Sequence, residues 1–256
     1  MSILQAVILA VVEGITEFLP ISSTGHLVLT ATLLKIQQDE FVKSFEIIIQ
    51  LGAILGVVML YFQTLSRNFR LWKALLVAFL PSMVVGLMLY KLVKTVLLGS
   101  PYITLLALFL GGILILFLER KYTETPHHTQ DLSKITAKQA FLTGLCQSVS
   151  IIPGVSRAAA TILGGMYVGL SRKTAVEFSF LLAIPTMFAA SVLDISQSLP
   201  VFTYSTLPVL IVGFVVSFVV AVGSVKWLLS FIRTHSLRPF GVYRIIISII
   251  YYFLIL

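Results

Sequence analysis

The sequence predicts an all-α polytopic membrane protein with an inverted-topology internal repeat, each half one re-entrant helical hairpin plus three transmembrane helices. Three observations carry this expectation. Hydrophobic residues make up 58% of the 256-residue chain and charged residues 11%. Soluble domains carry roughly a quarter charged residues, so too little charge is present to solvate a globular surface. The chain also matches itself at an offset of 133, with Pro20 opposite Pro153 and Phe45 opposite Phe178. Finally, each half opens with two apolar arms too short to cross a bilayer alone, joined by a Pro/Ser/Gly-rich centre.

Taken in order, the first interrupted segment is 3–36 and the second 139–170. Apolar runs follow at 47–62, 74–90 and 102–118, and again at 178–193, 207–229 and 240–256. Each approaches or exceeds the ~17–25 residues of a helical span. Four ordered matches support duplication: Gln5-Ala6 with Gln139-Ala140, Pro20-Ile21-Ser22-Ser23-Thr24 with Pro153-Gly154-Val155-Ser156-Arg157, Phe45 with Phe178, and Leu80-Pro81…Gly86 with Leu207-Pro208…Gly213. A re-entrant hairpin is tolerated at membrane depth only where protein or a water cavity covers its backbone. It returns to its starting side, so each half crosses three times and the second half is inverted. Broken helices at corresponding places in inverted repeats point to a midplane binding site. The whole chain, 1–256, reads as one membrane domain: repeat 1 over about 1–120, a linking cytoplasmic loop at 120–138, and repeat 2 over about 139–256.

Loop charge orients this arrangement. One side receives Arg67, Arg70, Lys73, Arg120, Lys121, Lys134, Lys138, Arg172, Lys173, Lys226, Arg233 and Arg238, and the other Lys35, Lys43, Lys91 and Lys94. The richer side is cytoplasmic, which turns both termini and the mouth of the first hairpin outward. A cleavable signal peptide is excluded, since the first run lacks a basic n-region and contains Glu13 and Glu17. The single Cys146 excludes an intramolecular disulfide and a Cys-based metal site. The net charge of +8 reflects these loops and not nucleic-acid binding, because no patterned basic segment exists. Membrane lipids are the obligate surroundings, and a homodimer is compatible with the pattern.

Ionisable groups inside spans cost at least ~2.5–3.5 kcal/mol and normally face a functional cavity. Glu13 and Glu17 share one helix face, where a divalent cation would relieve their repulsion. Magnesium, held by one or two carboxylates plus substrate phosphates, is the first candidate and calcium the second; a salt bridge to Arg157 or a proton relay are the alternatives. Ser156 and Arg157 follow a Pro-Gly break and open a helix, so the free N–H groups and the guanidinium fork make an anion site. Thr161 lies one turn further on, on the Arg157 face. A snorkelling structural arginine is the bland alternative. Ser22-Ser23-Thr24-Gly25-His26 puts hydroxyls and an imidazole at the other tip. Phosphoanhydride hydrolysis needs a nucleophile and charge stabilisation, and His26 either attacks phosphorus itself or activates Ser23. Glu46, Gln50 and Glu177 are candidates for orienting the site, or polar packing groups. His127-His128 reads as a solvated loop.

Glu13-Gly14-Ile15-Thr16-Glu17 with Phe18-Leu19-Pro20-Ile21-Ser22-Ser23-Thr24-Gly25-His26, Pro153-Gly154-Val155-Ser156-Arg157, and Glu177-Phe178-Ser179 through Pro185 resemble the bacterial undecaprenyl-diphosphate phosphatases, the bacitracin-resistance family, over essentially the whole chain. The resemblance implies hydrolysis of undecaprenyl diphosphate to undecaprenyl phosphate and inorganic phosphate at the outer face of the bacterial cytoplasmic (inner) membrane, recycling the lipid carrier for envelope polymers. It implies a metal role for Glu13 and Glu17, catalysis by Ser23, His26, Glu17 and Arg157, and phosphate binding by Ser156 and Arg157, to which Thr161, Ser22 and Thr24 add hydroxyls. The family usually reads Ser-Gly after the arginine; here Ala158-Ala159 follow, removing one hydroxyl. A transporter or flippase of a phosphorylated lipid shares the inverted-repeat architecture, and a structural membrane subunit is a third reading. A carrier needs binding groups but no nucleophile.

Overall fold

The computed structural model describes residues 1–37, 39–92, 101–198 and 206–255. In chain order they form α1 (Ile3–Thr16), α2 (Ser23–Leu33), α3 (Glu40–Leu60), a short α4 (Phe62–Arg67), α5 (Phe69–Leu92), α6 (Pro101–Lys121), α7 (Ala137–Gln147), α8 (Arg157–Tyr167), α9 (Arg172–Ser198), α10 (Leu207–Phe231) and α11 (Arg238–Ile255). Among the described residues there is no strand, only one isolated bridge between Thr129 and Leu170. Helices α3, α5, α6, α9 and α10 are long and apolar enough to cross a membrane; the chain is a multi-pass, all-α membrane protein. The sixth expected span, 240–256, coincides with α11, and its last residue lies outside the described residues. Lys94 and the side chain of Lys91, counted above toward the outer side, also lie outside them.

Helices begin where the sequence supplies a cap. The Ser2 hydroxyl accepts from the Gln5 backbone at 3.2 Å, while the Gln5 side chain accepts from the Ser2 N–H at 2.8 Å. Thr136 and Gln139 build the same reciprocal box before α7. The Gln5/Gln139 match therefore marks two capping boxes. Asp39 caps α3 through Val42 N–H at 2.8 Å. The fourth sequence match does not fall on corresponding helix positions: Pro81 lies inside α5, whereas Pro208 sits in the first turn of α10. Proline is tolerated at both places for different reasons, since at a helix start its missing N–H costs nothing.

Packing partners exchange between the halves. Helix α1 lies on α10 and α7 on α5; α3 packs on α10 and α9 on α5; α3 also meets α9, and α6 meets α11. Small residues permit the closest approaches. A Cβ on Gly14 would lie 2.8 Å from the Ser217 carbonyl of α10, and one on Gly144 would collide with the Ala78 carbonyl of α5. The residues between α1 and α2 and those at the start of α8 join one buried cluster, with Phe18, Ala158 and Ile162 fully excluded from solvent. The irregular backbone of the first tip and the start of α8 is thus covered by protein, as burial within a bilayer demands, while Val149 and Ile152 of the second tip are exposed.

The loop 120–138 is anchored rather than free. Thr129 exchanges backbone hydrogen bonds with Gly169 (2.8 Å) and Ser171 (3.0 Å). His128 folds onto Thr125 within the same loop, in keeping with a solvated connection. Beneath it, Glu119 at the end of α6 bridges Arg172 at 3.0 Å and accepts from the Leu237 N–H at 3.1 Å, tying α6, α9 and α11 together.

Candidate active site

Two helix starts converge at the meeting of the tips. Ser22 precedes α2 with φ 73°, ψ 95°, a left-handed backbone that a serine rarely adopts and that marks a constrained segment. Ser156 precedes α8 in extended conformation; its hydroxyl accepts from Ala159 N–H at 3.1 Å and donates toward the Leu19 carbonyl at 3.4 Å across the tips. Between them lies a cavity of about 120 Å³ lined by Glu17, Ser22, Ser23 and Thr24 from the first hairpin and Ser150, Ser156 and Arg157 from the second, with Gln50 of α3 and Met187 of α9. Both α2 and α8 direct their positive ends at it, the arrangement that favours anions.

Inside the cavity one carboxylate joins the two halves. Glu17 Oε2 accepts the Ser23 hydroxyl at 2.5 Å and Glu17 Oε1 accepts Arg157 Nη2 at 2.8 Å. Arg157 Nη1 donates to the Ser179 carbonyl at 2.7 Å, and the guanidinium lies 5.8 Å from the Phe18 ring centre. Its buried Nε has no acceptor. The arginine is anchored at both ends of its fork rather than snorkelling to a surface.

Glu13 lies behind this network, fully buried, and neither carboxylate oxygen has a hydrogen-bond donor. The charged groups bearing on it are Glu17, Glu46 and Arg157. A buried carboxylate without a donor calls for a proton or a cation. A divalent ion at this place would have to draw on Glu13, which lies outside the cavity lining, and on Glu17, whose oxygens hold Ser23 and Arg157, with phosphate and water completing its shell. Among the described residues no group of three His, Cys, Asp or Glu side chains stands ready to hold a metal, so the chain itself would offer these two carboxylates.

Two candidates turn away from the cavity. His26 does not touch Ser23: its Nδ1 meets the Ser22 carbonyl at 2.8 Å and its Nε2 meets the Tyr243 hydroxyl at 2.7 Å. A carbonyl only accepts, so Nδ1 carries the proton, and in the neutral ring Nε2 accepts from Tyr243. The two rings stack within 8° of parallel. Thr161 is fully buried; its hydroxyl donates back to the Arg157 carbonyl at 2.9 Å and contacts the Ser179 hydroxyl in the α8–α9 seam. The i+4 spacing put Thr161 on the Arg157 face, but the long arginine reaches back to Glu17 while the short threonine stays against α9. Ala158 is equally buried in the apolar cluster and is not among the residues that line the cavity.

Residues 6–250 match the family described as Bacitracin resistance protein BacA. The chain belongs to that family. It is 51% identical to the undecaprenyl-diphosphatase of Aquifex aeolicus over 96% of both chains, and 50% identical to that of a Sulfurihydrogenibium species over 98% of this chain and 99% of the other. The undecaprenyl-diphosphatase of Persephonella marina is 46% identical over the full length of both.

In this BacA-family chain the residue that sequence reasoning missed is Arg244. It is 1% exposed, and its guanidinium donates to four carbonyls: Leu108 (3.2 Å), Ala107 (3.1 Å), Pro20 (3.3 Å) and Gly154 (3.0 Å). It thus bolts the first tip, the second tip and α6 to α11. The signal was present, since Arg244 interrupts the apolar run 240–256, where an ionisable residue asks for a partner. Tyr243 and Met187 carried no comparable signal.

Proposed function

We propose that this chain hydrolyses undecaprenyl diphosphate to undecaprenyl phosphate and inorganic phosphate at the outer face of the bacterial cytoplasmic membrane. The observation that carries the reading is the Ser23–Glu17–Arg157 chain in a small, hydroxyl-lined cavity fed by two helix N-termini. The names of the relatives support the same substrate. The cavity suits a diphosphate head and leaves no room for a polyprenyl tail.

Ser23 Oγ attacks the terminal phosphorus while Glu17 Oε2, already bonded to the hydroxyl, takes its proton. The Oγ–P bond forms as the anhydride P–O bond breaks, and undecaprenyl phosphate leaves with the electron pair, needing no proton at neutral pH. A water oxygen then bonds to the phosphoserine phosphorus as the P–Oγ bond breaks; Glu17 returns its proton to Ser23 Oγ, and the protons of the water leave with inorganic phosphate. Arg157 and the N–H groups opening α2 and α8 hold the equatorial oxygens, where preorganised donors act most strongly. Ser22, Thr24, Ser156 and Gln50 supply further donors. His26 acts as a positioning residue, gripping the Ser22 carbonyl and so the left-handed turn that aims Ser23. A magnesium or calcium ion held by Glu13 and Glu17 would neutralise developing phosphate charge.

The halves act as inverted repeats that bring one tip from each side to the midplane, with the first hairpin's mouth outside and the basic loops in the cytoplasm. A flippase reading is weaker, because transport asks for no hydroxyl bonded to a carboxylate. Phosphate release from C55 or C15 prenyl diphosphate by the purified protein, with and without EDTA, tests the assignment. No release of phosphate in either condition overturns it.

A further inference from the structure

We propose that the first isoprene units of the substrate tail lie in one particular lateral groove, between α5 and α9, and that the corresponding seam between α3 and α10 is closed to them. This rests on the phosphatase reading. The groove, about 380 Å³, is walled by Phe79, Met83, Gly86 and Leu87 of α5 and by Ala189 of α9, and its inner end is formed by Ser150 and Arg157. Those last two residues also line the polar cavity. The groove, mainly apolar but with Ser82, Gln147 and Thr186 also in its lining, therefore shares the guanidinium with the anion site. An amphiphile with its diphosphate on Arg157 has its tail at the groove's inner end.

The outer end opens to the bilayer, with Leu87 66% and Met83 37% exposed. From Phe79 to Leu87 the groove follows about 12 Å of helix at 1.5 Å per residue, so most of a C55 tail stays in lipid. A Cβ added to Gly86 would meet nothing within 4 Å.

The other seam has been zipped. A Cβ on Gly52 of α3 would collide with the Phe214 carbonyl and the Ser217 hydroxyl of α10; one on Gly56 would lie 3.2 Å from the Phe218 carbonyl. The Ser217 hydroxyl donates to the Ile49 carbonyl at 2.6 Å across the same contact. At the offset of 133, Gly52 and Gly56 correspond to Pro185 and Ala189 of α9. Ala189 lines the groove, so a side chain stands there where α3 has none. Helix α9 cannot approach α5 as α3 approaches α10, and the groove is the space left.

The test compares farnesyl diphosphate with dimethylallyl diphosphate, whose single isoprene unit is too short to fill the groove. Gly86→Phe should raise KM for the C15 substrate at least tenfold more than it raises KM for the C5 substrate, and a thermal midpoint equal to wild type reports an intact fold. Gly223→Phe is the matched control, because Gly223 of α10 faces equally open space away from the groove, and it should change neither substrate. A farnesyl diphosphate with a photoactivatable tail should label peptides of α5 and α9. Unchanged C15 kinetics in Gly86→Phe, or labelling of α3 and α10, overturns the tail assignment and makes the groove an ordinary lipid-facing furrow. A wild-type protein inactive on both substrates and on C55 diphosphate overturns the phosphatase reading itself, and the tail assignment with it.

Discussion

Replacing Arg244 with methionine should loosen the site without touching any group that lines it. Of its four acceptors, the Ala107 and Leu108 carbonyls lie within α6, where the helix supplies its own donors. The Pro20 and Gly154 carbonyls sit in the two hairpin tips, 224 and 90 residues away in sequence. Truncation leaves these two buried acceptors without the guanidinium. At ~1–3 kcal/mol for each unsatisfied group the cost is ~2–6 kcal/mol; hydrogen bonds measured within membranes average ~0.6 kcal/mol, which sets a floor of ~1 kcal/mol. Because the same tips carry Ser23 and Arg157, a factor of at least about ten in kcat should go with a lower thermal midpoint. Arg244→Lys should recover only part, since one ammonium cannot span four carbonyls. An independent perturbation reaches the same contact: a Cβ on Gly111 would press on the guanidinium, 2.8 Å from its Cζ, so Gly111→Ala should reproduce the defect with Arg244 intact. The assay is kcat and KM on farnesyl diphosphate beside a thermal melt of the detergent-purified protein. An Arg244→Met protein with wild-type midpoint and kcat would refute the reasoning.

Four further outcomes follow from the site and the orientation. Arg157→Lys should lose ~10²–10³ in kcat, because a point charge cannot hold Glu17, the Ser179 carbonyl and a phosphate together; turnover near wild type would leave only a general electrostatic role. Ser23→Ala should abolish turnover, whereas His26→Gln should retain measurable activity; the reverse ranking, or a trapped phosphohistidine, would make His26 the nucleophile. Glu13→Gln should weaken the dependence on magnesium while keeping the protein folded, and an unchanged magnesium titration would remove Glu13 from the ion's shell. On a Cys146→Ser background, single cysteines in 36–44 should react with an impermeant thiol reagent on intact cells and those in 64–71 and 120–138 only after lysis; the opposite pattern inverts the orientation.

Much of this protein is written locally in its sequence. Hydropathy over twenty residues located the long helices, since transfer into hydrocarbon is a property of each segment by itself. The capping boxes at Ser2/Gln5 and Thr136/Gln139, and the Ser156 cap that opens α8, depend on neighbours three residues away and are equally visible. The interrupted arms with Pro20 and Pro153 announced that Glu17, Ser22, Ser23, Thr24, Ser156 and Arg157 would sit in irregular backbone. Their types announced anion chemistry. What the tertiary structure decided were choices among partners distant in the chain. Glu17 rather than His26 holds the Ser23 hydroxyl, because α2 turns its histidine toward Tyr243 of α11. Thr161 packs against Ser179 because helix rotation is set by the neighbouring helix and not by the residue's own polarity. Arg244 finds carbonyls on both tips only once α11 is docked. The α5–α9 groove has Ala189 in its wall where Gly56 lets α3 close on α10, a consequence of shape between helices that no single segment contains.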